Sequence, residues 1–546
     1  MRKFKFKSVV ALANMKLSVK SAAIVLASST LISALLGLFR DRLLNSYYLG
    51  TYPTGIDAYT AAFTIPDFMF FILTSGALSV SFIPVFNQRL ASGNKKSAWE
   101  LSSSLINLLA LLTLITSVLI MIFADPLIRY VVSPGLDESG MVLAINMTRV
   151  IAINPFLFSI ATVITSIQQA VGRFVFYAFA PAIYNIGIII GITWFTGGIN
   201  LFGIQIFEGG IMGVAIGVIL GAIMQLIVSL IGLFGLGMDY EFKIHWRNQG
   251  FRSILKLLPA RSLDQGIDYI NGVVNTNLSS RMGAGAVRSF NQASALHQMP
   301  INLIGVAIST AFFPKLTEEL GNNDKKEFNA TFRQAMRMIT WIALPVSIIA
   351  FFGRGYVTSF ISNIGNNDSN GTIASVLGTL CIAIFARSIF HIASRGFYAH
   401  QDTKTPLVVS IFAIGLTIGI SIWFYLMHWG VDGLGLAQSI GAVIEIIILL
   451  YILQRRSRWE LLNKEFWRAI LKMVIATVIT GCVAFSMTKF IPLMATDTSL
   501  VITIPKFLVI TGISAIAYLV ASYFLDLDEA KPVLNRIKKI LFRNVR

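Results

Sequence analysis

Apolar runs about 20 residues long recur from one end of this sequence to the other. A helix needs about 20 apolar residues to cross the hydrocarbon core of a bilayer, and the chain offers fourteen such runs in 546 residues. We number them spans 1 to 14, over residues 21–39, 58–86, 101–123, 141–170, 174–196, 209–236, 253–278, 289–313, 336–361, 373–399, 405–427, 433–454, 467–488 and 501–525. The sequence therefore predicts an all-α polytopic membrane protein with about 14 transmembrane helices.

The composition supports this class and argues against others. Hydrophobic residues make up 55% of the chain and charged residues 13%, which is far too apolar for a soluble protein of this length. A net charge of +18 would suggest nucleic-acid binding in a soluble protein, but here the positive charges flank the spans, so we expect no nucleic-acid partner. Cys381 and Cys482 lie inside apolar runs without ligand spacing, which argues against a disulfide framework or a thiol nucleophile.

The distribution of Lys and Arg predicts the orientation of the spans. If the N-terminus is cytoplasmic, eight of the 44 basic residues fall in outside loops, and Arg149, Arg261 and Arg387 fall at membrane depth. The other 33 lie inside or at the adjacent helix ends, as the positive-inside rule demands of an inner or plasma membrane protein. We therefore expect both termini in the cytoplasm, with a basic interfacial segment at residues 1–20 and a basic tail at residues 526–546.

A long-range repeat divides the predicted spans into two lobes. Gly76–Pro84 in span 2 resembles Gly305–Pro314 in span 8, and in both copies a Lys pair follows the Pro by eleven and twelve residues. The offset is 230 residues and six spans, so both copies have the same orientation in the membrane. We expect an N-lobe over residues 21–237 and a C-lobe over 238–455, related by an axis along the membrane normal. Spans 13 and 14, over 456–525, are additional. Parallel repeats of this kind are a transporter architecture.

Polar residues enter span 7 in an ordered way. They recur at helical spacing along one face, namely at Arg261, Asp264, Asp268, Asn271 and Asn275. A charge at the bilayer centre costs about 3 kcal/mol on insertion scales, so this stripe must face other helices or water. The alternative interpretation is a set of buried polar contacts between helices.

Three other spans carry comparable stripes. Span 1 has Ser29, Ser33, Gly37 and Arg40; span 2 has Asp57, Thr60, Thr64, Asp67 and Thr74; span 8 has Asn291, Ser294 and Gln298, with His297 beside them. Because spans 1, 2, 7 and 8 occupy equivalent places in the two lobes, we expect a hydrated cavity between the lobes. For single Ser and Thr residues, a hydrogen bond to their own helix backbone is the simpler interpretation.

Other ionisable residues in or beside the spans are candidates for ion coupling or for structural ion pairs. They are Arg149, Arg387, His391, Asp402 and Glu445. His297 and His391 have no Cys, His or carboxylate at the spacing of metal ligands, so the sequence does not define a metal site. No nucleotide-binding or hydrolase motif is present. We therefore expect no enzyme activity and no cofactor. Energy for transport would come from a coupling cation (Na⁺ or H⁺), the membrane potential or cargo flux.

Several motifs together resemble the MurJ (MviN) family of lipid II flippases. They are Leu36-Gly-Leu-Phe-Arg-Asp41, Asp57-Ala-Tyr-Thr-Ala-Ala-Phe-Thr-Ile-Pro66, Ser75-Gly-Ala-Leu-Ser-Val-Ser-Phe-Ile-Pro-Val-Phe86, Ser133-Pro-Gly-Leu136, Arg173-Phe with Ala180-Pro181 and Asn185, Phe397-Tyr-Ala-His-Gln-Asp-Thr-Lys-Thr-Pro406 and Gly433-Leu-Gly-Leu-Ala-Gln-Ser439. The similarity runs in order through spans 1 to 12.

This resemblance implies a bacterial exporter of the multidrug/oligosaccharidyl-lipid/polysaccharide (MOP) superfamily, with two lobes around a central cavity. The implied cargo is lipid II, the undecaprenyl-pyrophosphate-linked precursor of peptidoglycan, moved by alternating access. Cell-wall synthesis proteins are candidate partners. By the family match, Arg40 contacts the pyrophosphate or gates its entry, and Asp41 and Asp57 lie in the outward-side gate. Spans 13 and 14 form a groove for the lipid tail.

The chain departs from the family pattern at cavity cations. Ala34 stands where members usually have an Arg, Phe70 and Phe71 stand where they often have basic residues, and Ser294 with Ala295 replaces an acid–Arg pair. Arg261 is a candidate to replace one of the missing cations. These departures favour an alternative cargo, namely another polyprenyl-linked oligosaccharide or a drug-like cation. Two further alternatives from other classes are a membrane-embedded glycan enzyme and a non-transporting cell-wall scaffold.

Overall fold

A computed structural model describes residues 19–75, 82–201, 204–362, 367–457, 460–494, 496–497 and 499–541. In these residues the helices of spans 1 to 6 are Val19–Tyr48; Pro53–Ala62, Thr64–Phe70 and the π-helical turn Phe71–Ser75, with Ile83–Ala91 beyond; Lys95–Pro126 with the π-helical turn Leu127–Val132; Glu138–Ile151 and Asn154–Ala170; Val175–Thr193; and Met212–Ile231.

The remaining spans are helical as well. Spans 7 to 14 are Gln249–Ser280; Ala286–Ile301, the π-helical turn Asn302–Val306 and Ala307–Gly321; Lys325–Ser359; Asn367–Ala399; Lys404–Leu426; Gly430–Arg456; Lys464–Phe490; and Leu500–Phe524, followed by Ala530–Leu541. The predicted all-α class is confirmed.

Twelve helices in the described part of the chain are long and apolar enough to cross a membrane. Spans 1 and 7 are not among the twelve, so the number fourteen stays a prediction. Span 7 has low hydropathy because its sequence includes Lys256, Arg261, Asp264 and Asp268. A helix with this many charges needs polar surroundings to be stable at membrane depth.

A small β-hairpin interrupts the helices before span 6. Strands β1 (Ile199–Leu201) and β2 (Ile204–Phe207) pair in antiparallel register, with Asn200 opposite Gln205. The hairpin does not appear as an apolar run, because each strand is only three or four residues long. The alternation of Ile with polar residues is nevertheless typical of a strand.

The chain divides into two compact units, Met1–Val287 and Arg288–Arg546. In the first unit, buried residues of spans 2, 3, 4 and 7 form one apolar cluster that includes Phe86 and Phe251. In the second unit, Phe332 and Phe397 belong to a cluster formed by spans 8 to 13. The span 7 helix packs against spans 2 and 3 in the first unit, whereas the repeat assigns span 7 to the second lobe. The lobe boundaries therefore stay a prediction.

The described residues preserve the repeat in their backbone geometry. Gly93 has φ +78° and Asn323, 230 positions later, has φ +56°. The helices Ile83–Ala91 and Ala307–Gly321, which contain the Pro of each copy, are therefore both followed by a residue in the left-handed conformation. The next residues, Asn94 and Asp324, each accept a hydrogen bond of 3.0 Å from the backbone N–H three positions on and so cap spans 3 and 9. Residues 76–81 of the first copy lie outside the described residues.

The turns after spans 4 and 10, which are also six spans apart, share a backbone geometry as well. Gly172 has φ +79° and Gln401 has φ +58°. In the first turn the N–H of Arg173 donates to the carbonyl of Gln168 at 2.8 Å, and in the second the N–H of Asp402 donates to the carbonyl five residues before it at 3.0 Å. Both turns therefore end their helices with the same hydrogen-bond pattern.

Candidate functional site

Arg40 is the centre of a polar cluster in the first unit. Its Nη1 donates to Oδ1 of Asn185 at 2.9 Å, and its Nη2 lies 3.0 Å from Oδ1 of Asp41. The amide of Asn185 in turn lies 3.3 Å from the carbonyl oxygen of Ser33 and 3.5 Å from its hydroxyl. The cluster links spans 1 and 5 through side chains in otherwise apolar helices.

Partial exposure keeps this cluster accessible. The side chain of Arg40 is 24% exposed and that of Asp41 is 15% exposed. The described bonds engage three of the five N–H donors that a guanidinium carries. Arg40 can therefore bind a further acceptor, and a phosphate oxygen is the strongest acceptor that Arg recognises in proteins.

The sequence predicts Arg40, Asp41 and Ser33 as site residues, but it does not predict their partner. Asn185 lies 145 positions from Arg40 along the chain. The sequence does place the amide of Asn185 inside the apolar run of span 5. Because a buried amide needs hydrogen-bond partners, this amide indicates that a polar residue of another helix lies nearby.

Asp57 ties span 2 to the turn that follows span 7. Its Oδ2 accepts a hydrogen bond of 2.7 Å from the backbone N–H of Gly285, and only 1% of Asp57 is exposed. Gly285 has φ +85°, a conformation that glycine adopts without strain. A buried carboxylate on a turn amide is well suited to holding two helices at a fixed distance.

Two other predicted residues of span 2 follow Asp57. Thr64 and Asp67 are half-buried in the short helix Thr64–Phe70. The adjoining π-helical turn Phe71–Ser75 packs against span 7, where the rings of Phe71 and Tyr269 stack with centroids 4.5 Å apart. Phe71, at a position where the family pattern often has a cation, thus contacts an aromatic ring of span 7.

The polar stripe of span 7 is described in its second half. Asn275 is buried, and its Nδ2 donates to Oδ1 of Asn271 at 3.2 Å. The side chains of Arg261, Asp264 and Asp268 lie outside the described residues, so their place in a cavity stays a prediction.

The predicted residues of span 8 lie in the second unit and differ in exposure. Asn291 and Gln298 are exposed, and Gln298 donates to the Asn302 amide oxygen at 3.0 Å. Ser294 is half-buried, and its carbonyl oxygen lies 2.6 Å from Nδ1 of His297. At the positions that depart from the family pattern, Ala34 and Ala295 are exposed, whereas Phe70 and Phe71 are half-buried.

Two of the candidate ion-coupling residues form a pair that the sequence did not predict. Arg387 in span 10 donates from Nη1 to Oε2 of Glu445 in span 12, and Ser410 in span 11 donates to Oε1 of Glu445. His391 is half-buried one turn after Arg387. Arg149 is instead exposed, and its nearest described partner, Asn146, is 3.5 Å away.

Asp402 organises the turn between spans 10 and 11. Its carboxylate accepts bonds from the N–H and the hydroxyl of Thr405 at 2.9 and 2.6 Å, and lies 2.7 Å from Nη2 of Arg456. Desolvation raises the pKa of Asp402, but the Thr405 bonds and Arg456 outweigh it and lower the pKa to about 2. The carboxylate therefore stays ionised and structural at neutral pH.

Within the described residues, no group of three or more His, Cys, Asp or Glu side chains could hold a metal ion. The two cysteines are unpaired, with Cys381 buried and Cys482 exposed.

Known proteins resemble this chain over most of its length. The family model for "Lipid II flippase MurJ" matches residues 45–504. The "Probable lipid II flippase MurJ" of Buchnera aphidicola subsp. Acyrthosiphon pisum (strain APS) is 26% identical over 462 residues, which cover 84% of this chain and 88% of the relative.

Solved structures share the fold. One titled "Lipid II flippase MurJ, inward closed conformation" is 23% identical and superposes with a TM-score of 0.72, covering 96% of this chain and 99% of its own. An inward-facing multidrug resistance MATE family transporter of the MOP superfamily is 20% identical and superposes with a TM-score of 0.65, covering 80% of this chain and 98% of its own. The chain is thus a multi-pass membrane protein with a MOP-type transporter fold, and it belongs to the lipid II flippase MurJ family.

Proposed function

We propose that this chain moves lipid II from the inner to the outer leaflet of the bacterial cytoplasmic membrane and so supplies peptidoglycan synthesis. The observation that carries the proposal is the family match over residues 45–504. A pyrophosphate and a large polar head group cannot cross hydrocarbon unaided at a useful rate, because each unpaired polar group costs several kcal/mol there. The protein must therefore provide a polar path.

Arg40 is our choice for the residue that recognises the pyrophosphate. It is a cation within the predicted polar stripe of span 1, it is partly exposed, and Asn185 and Asp41 fix its orientation. A guanidinium held by two neighbours loses little conformational entropy when an oxyanion binds, which favours phosphate recognition. Ser33 and Asn185 are candidate hydrogen-bond donors to the same head group.

We assign gate roles to Asp41 and Asp57. The Asp57 bond to the Gly285 amide joins span 2 to the turn after span 7. Alternating access requires contacts that form in one state and open in the other. A hydrogen bond to a carboxylate contributes about 1.5–3 kcal/mol, so this contact can form in one state of a transport cycle and open in the other. The remaining candidate cavity residues are Thr64, Asp67, Arg261, Asp264, Asp268, Asn271, Asn291, Ser294 and Gln298.

We assign a structural role to Glu445, since both carboxylate oxygens already accept bonds from Arg387 and Ser410. Asp402 is likewise engaged in its turn. The energy source is then proposed to be the membrane potential or a cation, Na⁺ or H⁺, that binds elsewhere. The chain acts as a transporter and not as an enzyme in this proposal. Both termini are cytoplasmic, the tail of the lipid lies against spans 13 and 14, and cell-wall synthesis proteins are candidate partners.

A second cargo class has one observation in its favour. Phe71, which stands where the family often has a basic residue, stacks on Tyr269. An aromatic face attracts a cation rather than a phosphate, so a drug-like cation or another polyprenyl-linked oligosaccharide is the alternative cargo.

Rescue of a depleted host tests the proposal. The host's own lipid II flippase is depleted, this gene is expressed, and lipid II on the outer leaflet is labelled. We expect growth and outer-leaflet lipid II to return together. Failure of both, in cells where the protein is shown to be inserted at normal levels, would overturn lipid II as the cargo. Resistance to a cationic drug in the same cells would then support the alternative.

A further inference from the structure

The loop between spans 6 and 7 is fixed to the helix of span 3. We call residues 238–248 the interfacial loop. Nδ2 of Asn107, in span 3, donates to the carbonyl oxygens of Glu241 and Lys243 at 2.8 and 3.0 Å. The hydroxyl of Tyr240 donates to Oδ1 of the same amide at 2.5 Å. The side-chain amide of Asn107, which is half-buried, thus engages three residues of the loop.

Serines one turn earlier on span 3 hold the same loop. Ser103 accepts a hydrogen bond from the N–H of Glu241 at 3.2 Å, and Ser104 accepts one from the N–H of His245 at 2.8 Å. At the end of the loop, Asn248 donates to the carbonyl oxygen of Ser97 at 3.1 Å. Such a series of bonds holds the backbone in one conformation, so the side chains of the loop have a defined place.

A large cavity lies beneath the interfacial loop. Its volume is about 770 Å³, and helices of spans 3, 4 and 6 form its walls. Every lining residue is apolar except Asn107, Tyr240 and Lys243, and these three meet at the loop. Ligand pockets typically measure about 300–1,000 Å³, so the cavity has the size of a ligand pocket, and it is polar at one end.

The exposure of the residues that line the cavity indicates that a ligand enters it from the membrane. The helices of spans 3, 4 and 6 are all apolar enough to cross the membrane. Leu111 and Leu230, which line the cavity, are 49% and 43% exposed, so the cavity opens toward the bilayer. On the loop, Phe242 is 91% and Trp246 is 55% exposed. Exposed aromatic side chains beside basic ones are typical of the membrane interface.

We propose that this cavity binds an anionic glycerophospholipid, with one acyl chain between spans 3, 4 and 6 and its phosphate on Lys243. An acyl chain suits the apolar walls. The ammonium of Lys243 is exposed at the polar end and is complementary to a phosphate. The loop carries two carboxylates, Asp239 and Glu241, neither of which lines the cavity, and that of Glu241 lies 2.9 Å from Nε2 of His245. The site is separate from Arg40 and independent of the cargo.

Native mass spectrometry of the purified full chain tests the site. The protein is delipidated in detergent and incubated with phosphatidylglycerol or phosphatidylcholine of identical acyl chains. We expect about fivefold more bound phosphatidylglycerol than phosphatidylcholine, because only phosphatidylglycerol has a net negative charge and one Lys contributes about 1 kcal/mol to the binding of an anionic lipid. Lys243→Gln should remove the preference. Ala110→Phe, which places a ring in the cavity, should reduce binding of both lipids.

Matched controls separate the site from general lipid contact. Arg247→Gln removes a cation of the same loop that does not line the cavity, and Ile115→Phe adds a ring on an exposed face of span 3 outside it. Both controls should bind lipid as the wild type does. Equal binding of the two phospholipids by the wild type would overturn the proposal, as would Lys243→Gln behaving like Arg247→Gln. Displacement of phosphatidylglycerol by undecaprenyl phosphate at equimolar amounts would assign the cavity to the cargo instead.

Discussion

Arg387 and Glu445 form an ion pair between spans 10 and 12, with Nη1 3.0 Å from Oε2. The side chain of Arg387 is 28% exposed, whereas that of Glu445 is 2% exposed. Ser410 of span 11 donates to the other carboxylate oxygen at 2.6 Å. One buried acid thus joins three consecutive spans of the second unit, and its removal should be felt mainly as a loss of stability.

Ser410→Ala should lower the free energy of unfolding by about 1–2 kcal/mol, because it leaves one oxygen of a buried carboxylate without this donor. Glu445→Ala should cost about 3 kcal/mol, since it leaves Arg387 without its anion. Chemical unfolding of the purified protein in detergent measures both. Ser375→Ala is the control, because the Ser375–Asp432 bond is exposed and its loss should cost less than about 0.5 kcal/mol. Equal effects of the two serine substitutions would contradict the buried role of Ser410.

Asp57→Ala should loosen the turn after span 7. It removes the acceptor of the Gly285 N–H, and a bond of about 1.4 kcal/mol corresponds to roughly a tenfold change in opening. Hydrogen–deuterium exchange at Gly285 should accelerate by that factor. Asp137→Ala is the matched control, because the described bonds of Asp137 are to the Ser139 hydroxyl and the Gly140 amide at the start of its own helix, and it should leave Gly285 unchanged. Unaltered exchange at Gly285 in Asp57→Ala would argue against a gate at this bond.

Asp402 should make stability depend on acid pH. Its pKa of about 2 lies below the ordinary value of 3.8, so the ionised carboxylate stabilises the folded state above the ordinary pKa. This stabilisation is lost as the pH falls from about 4 toward 2. The unfolding midpoint of Asp402→Asn should therefore lie below that of the wild type at pH 6, and the two should converge near pH 2. A gap of constant size across this range would show that the ionised form is not what stabilises the turn.

The paired turns of the repeat should differ in their tolerance of substitution. Gly93→Ala forces a side chain into the left-handed region and should cost about 1 kcal/mol. Asn323→Gly keeps the conformation and should be neutral or slightly stabilising. Thermal unfolding of the two variants tests the equivalence of the turns. Gly321→Ala serves as a control, because Gly321 lies at a helix end with open space around it, and a cost equal to that of Gly93→Ala would refute the argument from backbone conformation.

The sequence predicts the helices well because membrane spans have a simple physical signature. Length and apolarity identify them one at a time, and the repeat follows from Pro and Lys residues at fixed spacing. The hairpin at Ile199–Phe207 escapes this logic because its strands are too short to produce an apolar run. Span 7 shows the opposite limit, since the polar stripe from which we predict a functional role also removes this helix from the apolar class.

The partners of polar residues were much harder to predict. The stripe of span 1 identifies Arg40, but its hydrogen-bond partner Asn185 is 145 residues away, and Arg387 is 58 residues from Glu445. Helix periodicity reports which residues share a face of one helix and says nothing about the facing helix. The interfacial loop illustrates the same point: its bonds to Asn107 depend on where the chain beyond span 6 meets span 3.

Recognition of the pyrophosphate by Arg40 is the central claim, and flipping of lipid II by the purified protein in vesicles tests it most directly. The rate at which fluorescent lipid II becomes accessible on the far leaflet is compared for wild type, Arg40→Gln and Arg129→Gln. Arg129 is a half-buried cation paired with the exposed Glu138, so its loss should leave the rate within about twofold. Removal of a charge-assisted contact of about 1.5–3 kcal/mol should slow Arg40→Gln by about tenfold or more. A rate for Arg40→Gln equal to that of Arg129→Gln would contradict the account.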